Sequence, residues 1–206
     1  PGFATGLAIM GFGFASLIAG PLMQYLVAQV GLVDTFIILG VIYLVIMSAS
    51  SLYLKAPQPK HPTRTTKDKS TMYVHTHGML ANDAMKTWQF GALWWVFFIN
   101  ITCGIGLLSL ASPMAQETIG MTPAAAASLV GIIGIFNGGG RIVWSTISDY
   151  FGRAQTYILF FIIQIIAFYL LAETNSVLTF QILILLIITC YGGGFACMPA
   201  YLADLY

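Results

Sequence analysis

Charge is what this sequence has least of. Only 7% of its 206 residues are Asp, Glu, Lys or Arg, against about 25% in a soluble domain. Such a chain cannot clothe a water-facing surface. The net charge of +1 says nothing about nucleic acid, and with no basic face outside one loop no nucleic-acid partner is expected. Cysteine is scarce as well. Cys103, Cys190 and Cys197 form no C-x-x-C pair and support no disulfide framework. Cys190 and Cys197 could share a helix face, and they read as small packing residues. No apolar segment shows the alternation of a membrane-barrel strand. No His or carboxylate lies in the middle of one, and no Ser has a visible His partner. Catalytic and metal sites are therefore not expected, nor is a cofactor. The chain starts at Pro1 without an initiator Met and stops at Tyr206 just past an apolar run, so both ends read as cuts in a longer protein.

Hydrophobic residues, by contrast, make up 58% of the chain, and the mean hydropathy is +0.86. Six stretches, 3–29, 35–54, 88–111, 123–147, 154–172 and 176–200, each approach the ~20 residues that cross a bilayer. Backbone groups must be satisfied internally in lipid, so these stretches are predicted helices. The fold class is all-α, a polytopic membrane helical bundle. Lys55, Lys60, Arg64, Lys67, Lys69 and Lys86 lie between the second and third spans, and Arg153 between the fourth and fifth. The loops at Asp34, Glu117 and Glu173 carry no Lys or Arg. The positive-inside rule makes the basic loops cytoplasmic. Pro57, Pro59 and Pro62 mark 55–87 as a central linker. His75 and His77 within it lack Cys or carboxylate support and read as solvated loop rather than a metal site. Leu80 to Thr87 reads as a short interfacial helix with Asn82 and Asp83 as cap candidates. Trp88, Trp94 and Trp95 then mark membrane entry.

Glycine sorts the spans. Spans one, three, four and six are glycine-rich and predicted to be inner helices. Span two has only Gly40 and span five has none, so both should face lipid. Pro21, Pro113 and Pro199 are placed to kink or end inner helices. The order inner, outer, linker, inner, inner, outer, inner fits nested three-helix repeats, with span one as the second member of its unit. That is the fifth to tenth helix of a twelve-helix transporter. The predicted domains are 1–54, the last two helices of an N-terminal bundle; 55–87, the linker; and 88–206, the first four helices of a C-terminal bundle.

One residue stands out within this apolar background. Arg141 lies inside the fourth span, eight residues before Asp149, or ~12 Å along a helix. Half a hydrocarbon core is ~15 Å, so the cation sits near the midplane. A guanidinium there costs at least a few kcal/mol and usually faces a polar cavity. Its planar fork matches a carboxylate and never deprotonates. A snorkelling residue, or one paired to another helix, is the bland alternative. Asn137, one turn away on the same face, could orient the guanidinium, hydrogen-bond a ligand, or join helices. Gly138 to Gly140 leave room for a close neighbour, and with no Gly-Lys-Ser/Thr they are no nucleotide loop. Tyr191 and Phe195, four apart around Gly192 to Gly194, and Phe12 between Gly11 and Gly13 could wall off a small polar ligand or simply pack. Asn100, Gln116, Gln164 and Gln181 are weaker candidates.

Asp149-Tyr-Phe-Gly152-Arg153, Asn137-Gly-Gly-Gly-Arg141, Gly2 through Gly13, and Tyr191-Gly-Gly-Gly-Phe195 through Pro199 together resemble the major facilitator superfamily. Within it they resemble the oxalate/formate antiporter family, related to monocarboxylate transporters. The resemblance covers the whole chain as helices five to ten of the twelve. It implies alternating access, with Arg141 as the carboxylate anchor and Asn137, Tyr191, Phe195 and Phe12 around the substrate. Asp149, Gly152 and Arg153 would form a conformational latch. It implies small carboxylate substrates such as oxalate, formate or lactate, protons as a candidate coupling partner, and a plasma or inner cell membrane. The competing classes are a non-transporting membrane sensor or partner-binding fragment, and an intramembrane enzyme.

Overall fold

The computed structural model describes residues 2–54 and 79–206. Most of the linker, with His75 and His77, lies outside the described residues. Six helices follow in order: α1 (Gly2–Tyr53), α2 (Ala81–Ala84), α3 (Trp88–Glu117), α4 (Pro123–Phe151), α5 (Arg153–Glu173) and α6 (Val177–Leu205). Among the described residues there is no strand. Five of the helices are long and apolar enough to cross a membrane.

The count is five rather than six because α1 holds two predicted spans. Its 52 residues would reach ~78 Å as one rod, more than twice a hydrocarbon core. It is broken at Gly31, where φ is 82° and ψ is 173°. That conformation is open to glycine and costly for a residue with a Cβ. The break falls between 3–29 and 35–54, where sequence reading places a loop.

The chain divides into two compact units. One comprises residues up to Gly20 together with those from Met79 onward; the other begins at Pro21. In the second unit Thr35 donates its hydroxyl to the Gly31 carbonyl at 2.7 Å, supporting the break. Val33, Phe36, Ile37, Leu44 and Met47 are exposed there, as suits a helix whose solvent is hydrocarbon.

In the first unit α4 and α6 form the central pair. In lipid, helix association relies on close packing rather than on removing apolar area from water. The pair supplies such packing: Gly140 faces the Thr189 backbone so closely that an added Cβ would lie 2.7 Å from its carbonyl oxygen. α5 buries one stripe, including Tyr157, Phe160, Gln164 and Ala167, and exposes Ile158, Ile162, Ile165 and Tyr169. It is peripheral, as predicted. α3 is packed in a similar way within this unit. It too buries only one stripe, Leu93, Asn100, Gly104, Leu107, Ala111 and Ala115, and exposes Trp94, Trp95, Phe98 and Ile105. Of its glycines, Gly91 and Gly106 meet nothing within 4 Å.

Thr87 caps α3 by accepting from the Phe90 amide at 3.3 Å, and Thr122 caps α4 from the Ala125 amide at 3.3 Å, followed by Pro123. The interfacial helix is only four residues long. Its Ncap is Leu80, so Asn82 and Asp83 lie inside it rather than capping it. Pro21, Pro113 and Pro199 all lie within helices and end none of them.

Candidate functional site

Arg141 projects from the middle of α4 and is fully buried, with 0% of its surface exposed. Its neighbours are all neutral. Nε and Nη2 each donate to Asn137 Oδ1 at 3.4 Å, and Nη1 donates to the Ile9 carbonyl of α1 at 3.4 Å. These are long contacts, beyond the usual ~2.9–3.0 Å. The guanidinium carbon lies 4.8 Å from the ring centre of Phe12 and 5.0 Å from that of Phe195. Those rings stack on each other at 6.1 Å. A cation over aromatic faces is stabilised by the ring quadrupole, by about 2 kcal/mol when desolvated. The ion pairs among the described residues are Lys86–Asp83, Arg153–Asp149 and Arg153–Asp204, and none includes Arg141. The buried cation is thus solvated by dipoles and quadrupoles, with its charge uncompensated there.

Of the residues expected around a substrate, Asn137, Phe12 and Phe195 contact Arg141, and Tyr191 contacts Phe195. Asn137 lies on the same face of α4, as the four-residue spacing requires. Phe12 and Phe195 cover the guanidinium from α1 and α6. Tyr191 meets Phe195 edge-on at 6.3 Å and is buried. Apolar grooves lined by Trp88 and Tyr201, by Thr102 and Phe168, and by Phe136 and Thr189 do not include Arg141. In this conformation the rings of Phe12 and Phe195 lie against the guanidinium.

The arm of α1 before Gly20 lies antiparallel to α4 by way of small residues. An added Cβ at Gly13 would run into Gly138, and one at Gly6 into Ser145. At the end of this seam Asp149 holds the first two described amides of α1. Its Oδ1 accepts from the Gly2 amide at 2.9 Å and its Oδ2 from the Phe3 amide at 3.0 Å. A carboxylate at a helix start also complements the helix dipole. Gly152, with φ 99°, turns the chain into α5 and brings Arg153 back onto the same carboxylate, Nη2 to Oδ1 at 2.6 Å. Arg153 also donates from Nη1 to Ser148 Oγ at 2.5 Å and from Nε to Asp204 Oδ2 at 3.0 Å. Asp149, Gly152 and Arg153 thus form one network joining α1, α4, α5 and α6.

Three contacts were not legible beforehand. The Ile9 carbonyl leaves no side-chain signal. Asp204 lies 51 residues from its partner Arg153. Tyr157 donates to the Gly194 carbonyl at 2.5 Å. Tyr157 and Gln164, seven apart on one face of α5, were a usable sign that this outer helix turns a polar stripe inward.

The family model of the Major Facilitator Superfamily matches residues 1–206. Among curated proteins, the oxalate:formate antiporter of Oxalobacter formigenes is 25% identical over 209 residues, covering 100% of this chain and 48% of that protein. The uncharacterized MFS-type transporter YhjX of Escherichia coli (strain K12) is 27% identical over 207 residues, covering 100% of this chain and 50% of that protein. The chain spans about half the length of the curated relatives it matches.

Proposed function

The chain belongs to the major facilitator superfamily, an integral multi-pass membrane protein of a transporter family, and from that premise we propose that it moves small carboxylates by alternating access. One observation carries this reading: a guanidinium with no exposed surface and no carboxylate partner among the described residues. Burying an uncompensated cation in a helical bundle is costly and has no structural return that a Leu would not supply. A ligand carboxylate supplies the missing charge and replaces three long hydrogen bonds with a bidentate pair. Asn137 then orients the guanidinium, and Phe12, Phe195 and Tyr191 wall the ligand from water.

The relative named as an oxalate:formate antiporter makes oxalate and formate the first substrates to try, with lactate next. Residues 1–54 and 88–206 belong to two bundles joined by the linker 55–87, and the seam between α1 and α4 is where the bundles meet. The Asp149–Gly152–Arg153 network latches that seam, on the cytoplasmic side of the cell membrane. An anion displaces a ring at Arg141, the seam reopens elsewhere, and the site changes the side it faces.

The test is counterflow of labelled oxalate, formate and lactate by the complete gene product in liposomes, with and without a proton gradient. Exchange of at least one of them is expected, and Arg141→Gln should abolish it while insertion is retained. Uptake that survives in Arg141→Gln defeats the anchor role. Exchange that ignores the gradient means antiport, and dependence on it means proton coupling.

A further inference from the structure

Three successive glycines in α6 each seat a side chain from another helix. A Cβ at Gly192 would meet Asn137 Oδ1 at 2.8 Å, and one at Gly193 would meet the Trp144 side chain at 2.5 Å, both on α4. One at Gly194 would run into the Asn100 amide of α3. Two α6 carbonyls in the same stretch are tapped from outside: Asn100 Nδ2 donates to the Tyr191 carbonyl at 3.4 Å, and Tyr157 of α5 to that of Gly194. Gln164 of α5 donates to Asn100 Oδ1 at 3.3 Å, fixing which way that amide faces. Asn100 and Gln164 are 0% and 3% exposed.

This stretch of α6 is intrinsically weak. Each glycine lowers helix propensity by about 1 kcal/mol relative to Ala. Pro199 has no N–H, so the Phe195 carbonyl loses its ordinary partner one turn earlier. A helix so composed bends unless neighbours hold it. Phe195, whose ring lies over Arg141, and Tyr191, edge-on to Phe195, are the residues that flank the glycines.

We propose that Asn100, oriented by Gln164, and Tyr157 form a clamp that holds the glycine segment of α6 and thereby sets where Phe195 stands over Arg141 and Tyr191 stands against Phe195. They are positioning residues for anion binding, supplied by α3 and α5, and they touch no ligand themselves. The clamp deepens the carboxylate reading above and rests on it for its effect on affinity. Its effect on α6 itself does not depend on any ligand.

Both effects are measurable in the complete protein. Cys190 and Cys197 flank the glycines, and both are buried with 0% exposure. Their maleimide labelling, resolved peptide by peptide by mass spectrometry, reports opening of the segment without any substrate. Tyr157→Phe removes one clamp hydrogen bond at nearly constant volume. Gln164→Leu alone orphans the buried Asn100 amide and costs folding stability, so it is paired with the double variant Asn100→Leu/Gln164→Leu. Removing both partners leaves no unsatisfied group and should restore thermal stability. We expect Tyr157→Phe and the double variant to label up to ~10-fold faster and to raise the KM for the transported carboxylate by a similar factor, the size of one lost hydrogen bond. The maximal rate should change less than twofold. Labelling at the wild-type rate in both variants overturns the clamp. Faster labelling with an unchanged KM overturns its positioning role. If the wild type exchanges no carboxylate while labelling still accelerates, the clamp stands and the carboxylate reading fails.

Discussion

The two ends of the four-helix unit formed by α3 to α6 are built by different means. Toward the Gly120 turn the core is hydrocarbon: Leu107, Ala111, Leu129, Ile133, Phe180, Ile184 and Ile187 pack together, nearly all with no exposure. Toward the Gly152 turn the buried set includes Asn100, Arg141, Ser145, Ser148, Arg153, Thr156 and Gln164. The first end tolerates any well-shaped apolar filling. The second depends on particular donors meeting particular acceptors, and a half-satisfied network is worse than none. The chain spends stability at the end where Arg141, the seam with α1 and the Asp149 network lie, and keeps ordinary packing at the other.

Substitutions can break or sharpen that contrast. Arg141→Gln should reduce carboxylate exchange by about 100-fold or more, the worth of a lost charge-assisted bidentate pair. It should leave thermal stability in detergent unchanged or higher, because a buried cation is removed. A fall in stability would give Arg141 a structural role instead. Ile187→Ala, at the apolar end, should do the reverse. It should lower stability by roughly 2 kcal/mol through the cavity it leaves, read as a lower melting temperature by fluorescence-detected chromatography. The KM of the folded fraction should not move. Asp149→Asn weakens charge-assisted bonds to the Gly2 and Phe3 amides and to Arg153. A shift of ~10-fold in the balance between the two facing states is expected, read as accessibility of a cysteine placed at Gly11, with equilibrium substrate affinity changed less. Lys86→Ala removes an exposed pair with Asp83 at 3.2 Å and should change neither stability nor transport beyond ~0.5 kcal/mol.

Much of this was readable in the sequence, and the limits have a physical cause. The long spans and the shared face of Asn137 and Arg141 follow from local periodicity. The aromatic cover over Arg141 was legible as a pattern of rings beside glycines. Which glycines meet a neighbour was not, because a glycine count does not say which way each one faces. Gly104 faces the Tyr191 ring, whereas Gly91 and Gly106 face open space. The pairing of Arg153 with Asp204 and of Tyr157 with a backbone carbonyl also escaped, since both depend on how α5 and α6 pack. Distance along the chain carries no such information.

Successive residues of an α-helix point about 100° apart. Gly192, Gly193 and Gly194 therefore open three notches that together take in more than half of the helix circumference, each filled by a tooth from α3 or α4. α6 is keyed like a splined shaft: it cannot spin about its own axis without shearing a tooth. A rotation of α6 must therefore drag α3 and α4 with it as one block, or fold the shaft at the notches.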